Sequence, residues 1–284
     1  MELPRIAWVT IGLFALDLLV MAGLILLAEF GFVHRYVVSV VLTVCMFVMF
    51  TVAHDAIHGS ISGISWINGL VGRVAAGTMG PIACYPMFYA LHHMHHRFTN
   101  NPAKDPDSWV SHGNIAMAPI RCMFNTCWYV VFYMKHARER PLMEILESLA
   151  YITVQACFLS TAVEYGWMNF LMTYWIIPST LSHAFLAFFF DYIPHHHQTA
   201  TPIQSRYHTT SMLQTYQILQ PLLSILLQYQ DYHLIHHLYP TIPFYRYADK
   251  WREKQDFLLD KNVDISRLTV SEVVRAHRMR AATT

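Results

Sequence analysis

The chain has 284 residues, of which 55% are hydrophobic and 13% charged, against roughly 25% charge in an ordinary soluble domain. Its net charge is +1, and it carries no stripe of interleaved basic and aromatic residues, which excludes nucleic acid as a partner. This is the composition of a protein whose solvent is largely lipid.

In chain order, residues 7–32 form the first apolar stretch, with only Asp17 and Glu29 carrying charge, and residues 36–53 form a second with none. Each is near the ~20 residues that cross ~30 Å of hydrocarbon. No small-residue cleavage site follows the first, so it reads as an anchor. Asp17 is expected to pair with a neighbouring helix or to be protonated, because a bare carboxylate in hydrocarbon is costly. The second helix is expected to continue out of the bilayer through His54 and His58. Residues 61–91 and 114–133 are apolar but interrupted by Gly63, Gly69, Gly72, Gly77, Gly80, Pro81, Pro86 and Pro119. Glycine and proline at that density predict short interfacial helices. Two further spans follow at about 148–165 and 170–190. Residues 212–229 are expected to lie flat, and the tail from Lys250 onward reads as an exposed helix of mixed charge.

Orientation follows from the cations. The hairpin links at 33–35 and 166–169 hold one arginine between them, and the other eighteen Lys and Arg residues lie in the remaining connections and tails. The positive-inside bias places those regions in the cytoplasm. The expected fold is an all-α integral membrane protein forming a single domain over residues 1–284. Its four transmembrane helices, at about 7–32, 36–58, 148–165 and 170–190, make two hairpins, and a helical cytoplasmic cap covers them. Both termini lie inside.

Histidines cluster on that same side. His54-Asp-Ala-Ile-His58, His92-His-Met-His95-His96 and His233-Leu-Ile-His236-His237 have helical spacing, and positions i, i+3 and i+4 share one helix face. Eight convergent imidazoles are too many for one metal ion and suit two. Hydrolytic two-metal sites usually contain bridging carboxylates; a histidine-dominated pair leaves the metals positive and open. Iron is favoured, because oxygen activation needs a redox metal, and a site beside lipid would receive an apolar molecule from the bilayer. Five scattered cysteines, at 45, 84, 122, 127 and 157, form no disulfide framework. No GxGxxG follows a strand, so electrons must come from outside.

The order HxxxH, HxxHH, HxxHH, with membrane hairpins between, resembles the membrane fatty acid desaturase and hydroxylase superfamily over about residues 45–250. The resemblance implies a non-haem di-iron oxygenase whose metal ligands are His54, His58, His92, His95, His96, His233, His236 and His237. It adds a ninth, His195, which stands four residues after Asp191; His93, His196 and His197 are left as spares. The flanks HHMHHRFTNNPAKDPDSW, HLIHHLYPTIPFYRY and FFFDYIPH look like those of bacterial desaturase-like β-carotene hydroxylases, which implies hydroxylation at ring carbon 3 toward zeaxanthin and a location in the bacterial inner membrane. The first box, HDAIHG, is nearer the carotene ketolase pattern, and a fatty acyl desaturase or hydroxylase is the other reading within the superfamily. The expected cofactors are two iron ions, with zinc able to replace iron on overexpression. The expected partners are O2, a carotenoid or lipid substrate, membrane lipids and an external donor such as ferredoxin, docking at Arg246, Lys250, Arg252 and Lys254. Asp191, Asp231 and Asp55, and less so Asp105 and Asp107, are expected to accept the far ring N–H of metal histidines. Two other classes remain, a membrane zinc hydrolase, which would need no O2, and a metal transporter, which would place its ligands at mid-membrane, where only His183 lies.

Overall fold

The computed structural model describes residues 5–112 and 114–267. Helices α1 (Trp8–Glu29) and α2 (Arg35–Ile57) make a hairpin whose turn passes through Gly31 at φ +79°, backbone that glycine adopts without a Cβ clash. The two helices differ in what surrounds them. Over their most apolar windows 11% of α1 is buried but 56% of α2. Helix α2 is therefore the central post, and α1 and the helices at residues 65–78 and 168–195 pack around it.

Helix α3 (Ser65–Thr78) runs beside α2, and a turn at Gly80-Pro81 leads into α4 (Tyr85–Phe98), with Pro86 in the first turn of α4. The expected breaks thus occur in residues 61–91. They do not occur in residues 114–133. After a single turn, α5 (Ser108–Ser111), helix α6 runs unbroken over Ala118–His136. Pro119 sits in its first turn, where a backbone N–H has no helical partner and its absence costs nothing.

The second hairpin is longer than the sequence suggested. Helix α7 is Leu142–Glu164, and α8 is a 28-residue rod, Met168–His195, with π-helical segments at Met172–Ile176 and Ala187–Tyr192. Gly166, at φ +74°, turns the chain between them. The stretch expected to lie flat is mixed. Met212–Gln214 is a strand, β1, paired in parallel with β2 (Ile265–Arg267), and only α9 (Gln220–Leu226) is helical. This small sheet was not foreseen from an all-helical pattern. Helix α10 (His233–Leu238) carries the third box, and α11 (Tyr247–Asp260) follows. The expected terminal helix ends at Asp260 and gives way to a turn and β2, and residues 268–284 lie outside the described residues.

Among the described residues five helices are long and apolar enough to cross a membrane: α1, α2, α6 with its flanking turns, α7 and α8. Large apolar side chains stand exposed along the hairpins, among them Leu19 and Phe30 on the first and Met143 and Val154 on the second. In water such a surface would aggregate; in lipid it is the solvated face. The largest core cluster collects around α2 and takes in Val71 and Ala75 of α3, Tyr85 of α4 and Phe190 of α8.

Gly72 sets the closeness of α3 to α2. A Cβ there would lie 2.1 Å from the Tyr85 ring and 2.9 Å from Ala56 Cβ. Gly72→Ala is expected to cost about 1–3 kcal/mol through overpacking, read as a lower thermal midpoint in detergent. Gly12→Ala meets nothing within 4 Å and should not lower it.

Candidate metal centre

Four elements bring the histidines together. The last two turns of α2 deliver His54 and His58, α4 delivers His92, His95 and His96, the end of α8 delivers His195, and α10 delivers His233, His236 and His237. All nine sequence-predicted ligands meet there, in two groups. His54, His58, His92, His96 and His236 form one, and His95, His195, His233 and His237 form the other, with the ligand atoms in each group within 4.8 Å of one another. Helix geometry divides the boxes. His92 and His96 stack one turn apart in the first group, while His95, about 100° around the helix, turns to the second. On α10 the arrangement is reversed: His233 and His237 join the second group and His236 the first. His93 is exposed beside Tyr89 on another face of α4, and His196 stacks on Tyr192.

The rings meet through Nε2. In the first group His92 and His58 approach to 2.8 Å, His96 and His236 to 2.8 Å, and His54 and His236 to 3.1 Å. In the second, His195 and His233 lie 3.1 Å apart, His233 and His237 3.2 Å, and His95 and His237 3.2 Å. Metal–nitrogen bonds are about 2.0–2.1 Å, so neighbouring ligands at right angles on one ion lie about 3.0 Å apart.

The outward Nδ1 atoms decide what those contacts are. His195 Nδ1–H donates to the Thr209 carbonyl oxygen (3.2 Å), and His233 Nδ1–H donates to Gln230 Oε1 (3.2 Å). Both acceptors lack a proton of their own, so both rings keep theirs on Nδ1. Their Nε2 atoms then face each other at 3.1 Å as two lone pairs. That contact is repulsive unless a cation sits between them. His95 repeats the pattern, donating from Nδ1 to Asp105 (2.9 Å) beside Asp107 (3.1 Å). His236 Nδ1 shares a 2.9 Å hydrogen bond with the buried Tyr247 hydroxyl.

Electrostatics agree with the geometry. Burial first, then the neighbouring imidazoles, holds His92, His96, His236 and His237 well below the ordinary histidine pKa, and burial does the same for His233 with help from His95 and His54. These rings are neutral at pH 7 and offer lone pairs. His95 differs. Burial opposes its charge, but the Asp107 and Asp105 carboxylates outweigh that and raise its pKa to about 9. They concentrate negative potential on the second group, where a metal cation would replace the proton.

The carboxylates expected behind the histidines are mostly engaged elsewhere. Asp55 accepts from the Thr10 hydroxyl (2.9 Å) and the Phe244 N–H (3.2 Å), which ties α1 and the loop after α10 to α2. Asp231 accepts from Ser224 (2.6 Å) and Gln220 (2.7 Å). Asp191 accepts from Asn125 Nδ2 at 3.0 Å. The ring N–H of His95 goes instead to the Asp105–Asp107 turn. Gln230, Tyr247 and the Thr209 carbonyl, which no local pattern marks, hold His233, His236 and His195. Nor is the surface after the third box a basic patch. Lys250 pairs with Glu253 (2.7 Å) and is 6% exposed, Arg252 pairs with Asp249 (2.8 Å), and Lys254 lies 3.2 Å from Glu253.

A cavity reaches the histidines between α2, α4, α6 and α8. Phe50, Met79, Met87, Phe88, Leu186 and Phe190 wall it, and it ends at His54, His92, His95 and His233. His183, the histidine inside the fourth expected span, also lines it and donates from Nδ1 to the Ser179 carbonyl at 2.7 Å.

Two outcomes follow for metal content. Asp105→Asn should weaken metal retention by the second histidine group about 10- to 100-fold, read by competition with a chelator. Because His95 must release a proton whose pKa lies near 9, metal uptake by that group should release protons below pH 9 and tighten as pH rises from 6 to 8. Proton release on metal titration measures this.

Comparison with known proteins agrees with the site. The fatty acid desaturase family model matches residues 30–268. A dihydrorhizobitoxine desaturase from Bradyrhizobium elkanii is 24% identical over 69% of this chain and 60% of its own length, so the chain spans less than two thirds of that relative. A β-carotene ketolase from a Paracoccus species is 28% identical over 70% of this chain and 71% of the ketolase. An sn-1 oleoyl-lipid 12-desaturase from a Picosynechococcus species is 38% identical over 22% of this chain and 17% of its own. With a family match covering most of its length and every histidine box in place, the chain belongs to the fatty acid desaturase family.

Proposed function

We propose that the protein is a di-iron oxygenase that attacks an unactivated C–H bond of an apolar molecule drawn from the membrane. The observation that carries this reading is the opposed pair of Nε2 lone pairs on His195 and His233, 3.1 Å apart, within two groups of histidines that contain no carboxylate ligand. A donor set of nine imidazoles suits iron, zinc or copper; oxygen chemistry selects a redox metal, and iron is our assignment. His54, His58, His92, His96 and His236 would hold one ion, and His95, His195, His233 and His237 the other. Iron held there would supply dioxygen activation. Hydroxylation then consumes one O2, two electrons and two protons per C–H bond and yields C–OH and water; removal of a second hydrogen yields a double bond and two waters.

The protein's own share is positional. Gln230, Thr209, Tyr247 and the Asp105–Asp107 turn fix ring orientation and tautomer, so that Nε2 points inward. Phe50, Phe88 and Phe190 exclude water from the end of the cavity and align an apolar chain against the histidines. The relatives include both carotene ketolases and desaturases. The flanking sequences favour a carotenoid ring, with β-carotene carbon 3 as the specific target, and a fatty acyl chain as the second reading.

We also place the histidine layer on the cytoplasmic face, from the distribution of Lys and Arg, and count four crossings. Helix α6, the fifth candidate, touches the site layer along its length. Arg121 donates to the Trp109 and His112 carbonyls, Asn125 to Asp191, Trp128 to the Pro106 carbonyl and Tyr129 to Asp107. A helix that keeps those contacts lies along the membrane face. An external one-electron carrier must supply the reductant; the paired charges on α11 offer it no single-sign surface.

Expression in a β-carotene-producing bacterium, followed by pigment and acyl-chain chromatography, tests the reading. Zeaxanthin marks ring hydroxylation, a ketone marks ketolase chemistry, and new double bonds in the lipids mark a desaturase. His236→Ala should abolish whichever product forms. Unchanged pigments and acyl chains in cells holding iron-loaded protein would sink the proposal.

A further inference from the structure

The two hairpins also meet at their turns, at the end of the molecule away from the histidines, and the pocket between those turns carries charge. Glu29, the last residue of α1, and Arg35, the first of α2, line it with Phe158 of α7, Trp167 of the second turn, and Asn169 and Tyr174 of α8. One Glu29 oxygen accepts from the buried Tyr174 hydroxyl at 2.7 Å, and the Arg35 charge acts on that same hydroxyl. The two charged groups therefore flank one point. Yet no ion pair joins them, and Arg35 makes none with any other described residue. Each also stands where its own helix disfavours it. The macrodipole leaves a helix negative at its C-terminal end and positive at its N-terminal end, but an anion closes α1 and a cation opens α2. Arg35 is in addition the one Lys or Arg in the two hairpin links, against the positive-inside bias. Exposed Tyr165 and Trp167 stack at the second turn with ring centroids 5.5 Å apart, as aromatic side chains do at headgroup level.

We propose that this pocket binds the headgroup of a zwitterionic phospholipid, its phosphate on Arg35 and its primary ammonium on Glu29, the chemistry of phosphatidylethanolamine. A phosphate takes the guanidinium donors that no protein group uses, and an ammonium donates to the carboxylate oxygen that Tyr174 leaves open. Both charges are then neutralised at the helix ends that penalise them. The acyl chains continue into the bilayer beside Phe170, which is 40% exposed at the pocket edge. One lipid would thus clasp the first hairpin to the second on the face opposite the metal centre. The inference is independent of the reaction proposed above.

Thermal unfolding of the delipidated full chain in detergent tests it, with lipids of matched acyl chains as probes. Phosphatidylethanolamine should stabilise the protein at about 10-fold lower concentration than phosphatidylglycerol, which keeps the phosphate and lacks the ammonium. Arg35→Gln should weaken both by about 10-fold. Glu29→Gln should bring their ratio close to one while phosphatidylglycerol binding persists. Native mass spectrometry, which counts retained lipid directly, should show one phosphatidylethanolamine per chain and its loss in Arg35→Gln, whatever the stability of the variants. O-phosphoethanolamine separates a lipid from a soluble phosphate ester, and it should have no effect at the concentrations where the lipid acts. Equal affinity for the two lipids, a preference undiminished in Glu29→Gln, or equal binding of the free ester would overturn the proposal.

Discussion

Two nitrogen lone pairs cannot rest 3 Å apart in a buried site with nothing between them. His195 and His233 are held in that relation because each has committed its only proton to an oxygen behind it. The rest of the architecture follows from the need to present such rings, from distant parts of the chain, to shared points. The outward bonds of His95, His195, His233 and His236 are as much a part of the centre as the inward nitrogens, since they fix ring orientation and which nitrogen carries the proton.

Helix α2 supplies the frame. It is the most buried of the long helices, it carries His54 and His58 at its end, and the adjacent Asp55 links it to Thr10 at one side and to the Phe244 backbone at the other. The carboxylate expected to polarise a ligand is instead a tie between the first helix and the loop beyond the third box. Helix α6 closes the other side, passing its polar face along the 105–112 segment and Asp191. The Asp105–Asp107 turn raises the pKa of His95 in one group, so the two histidine groups are unequal, one backed by carboxylates and one by a tyrosine hydroxyl.

The boxes were legible because helical spacing is a local property. Positions i, i+3 and i+4 converge whatever the rest of the chain does, and His195 was reached only through the family resemblance. The division of the nine was not legible. It depends on how α4 and α10 face each other, and adjacent residues such as His95 and His96 separate by the ordinary turn of a helix. The hairpin helices could be read from apolar length, but their ends could not: α8 runs on to His195 through two π-helical segments that no composition signal marks. Pro119 suggested a break and marked a start. Asp231 stood next to the third box and turned toward Ser224 and Gln220, because neighbours in sequence at a 3-10 turn need not share a direction. The β1–β2 pair joins segments fifty residues apart, and such pairings are invisible to local pattern.

The separation of the ligands along the chain also bears on biogenesis. His54 meets His236, 182 positions later. The third box follows both hairpins in the chain and is the last of the boxes to be synthesised. Until then the first group has four of its five imidazoles and the second only two of its four. The second group is therefore the last to be completed, and a chain ending before residue 233 would lack half of it while keeping most of the first.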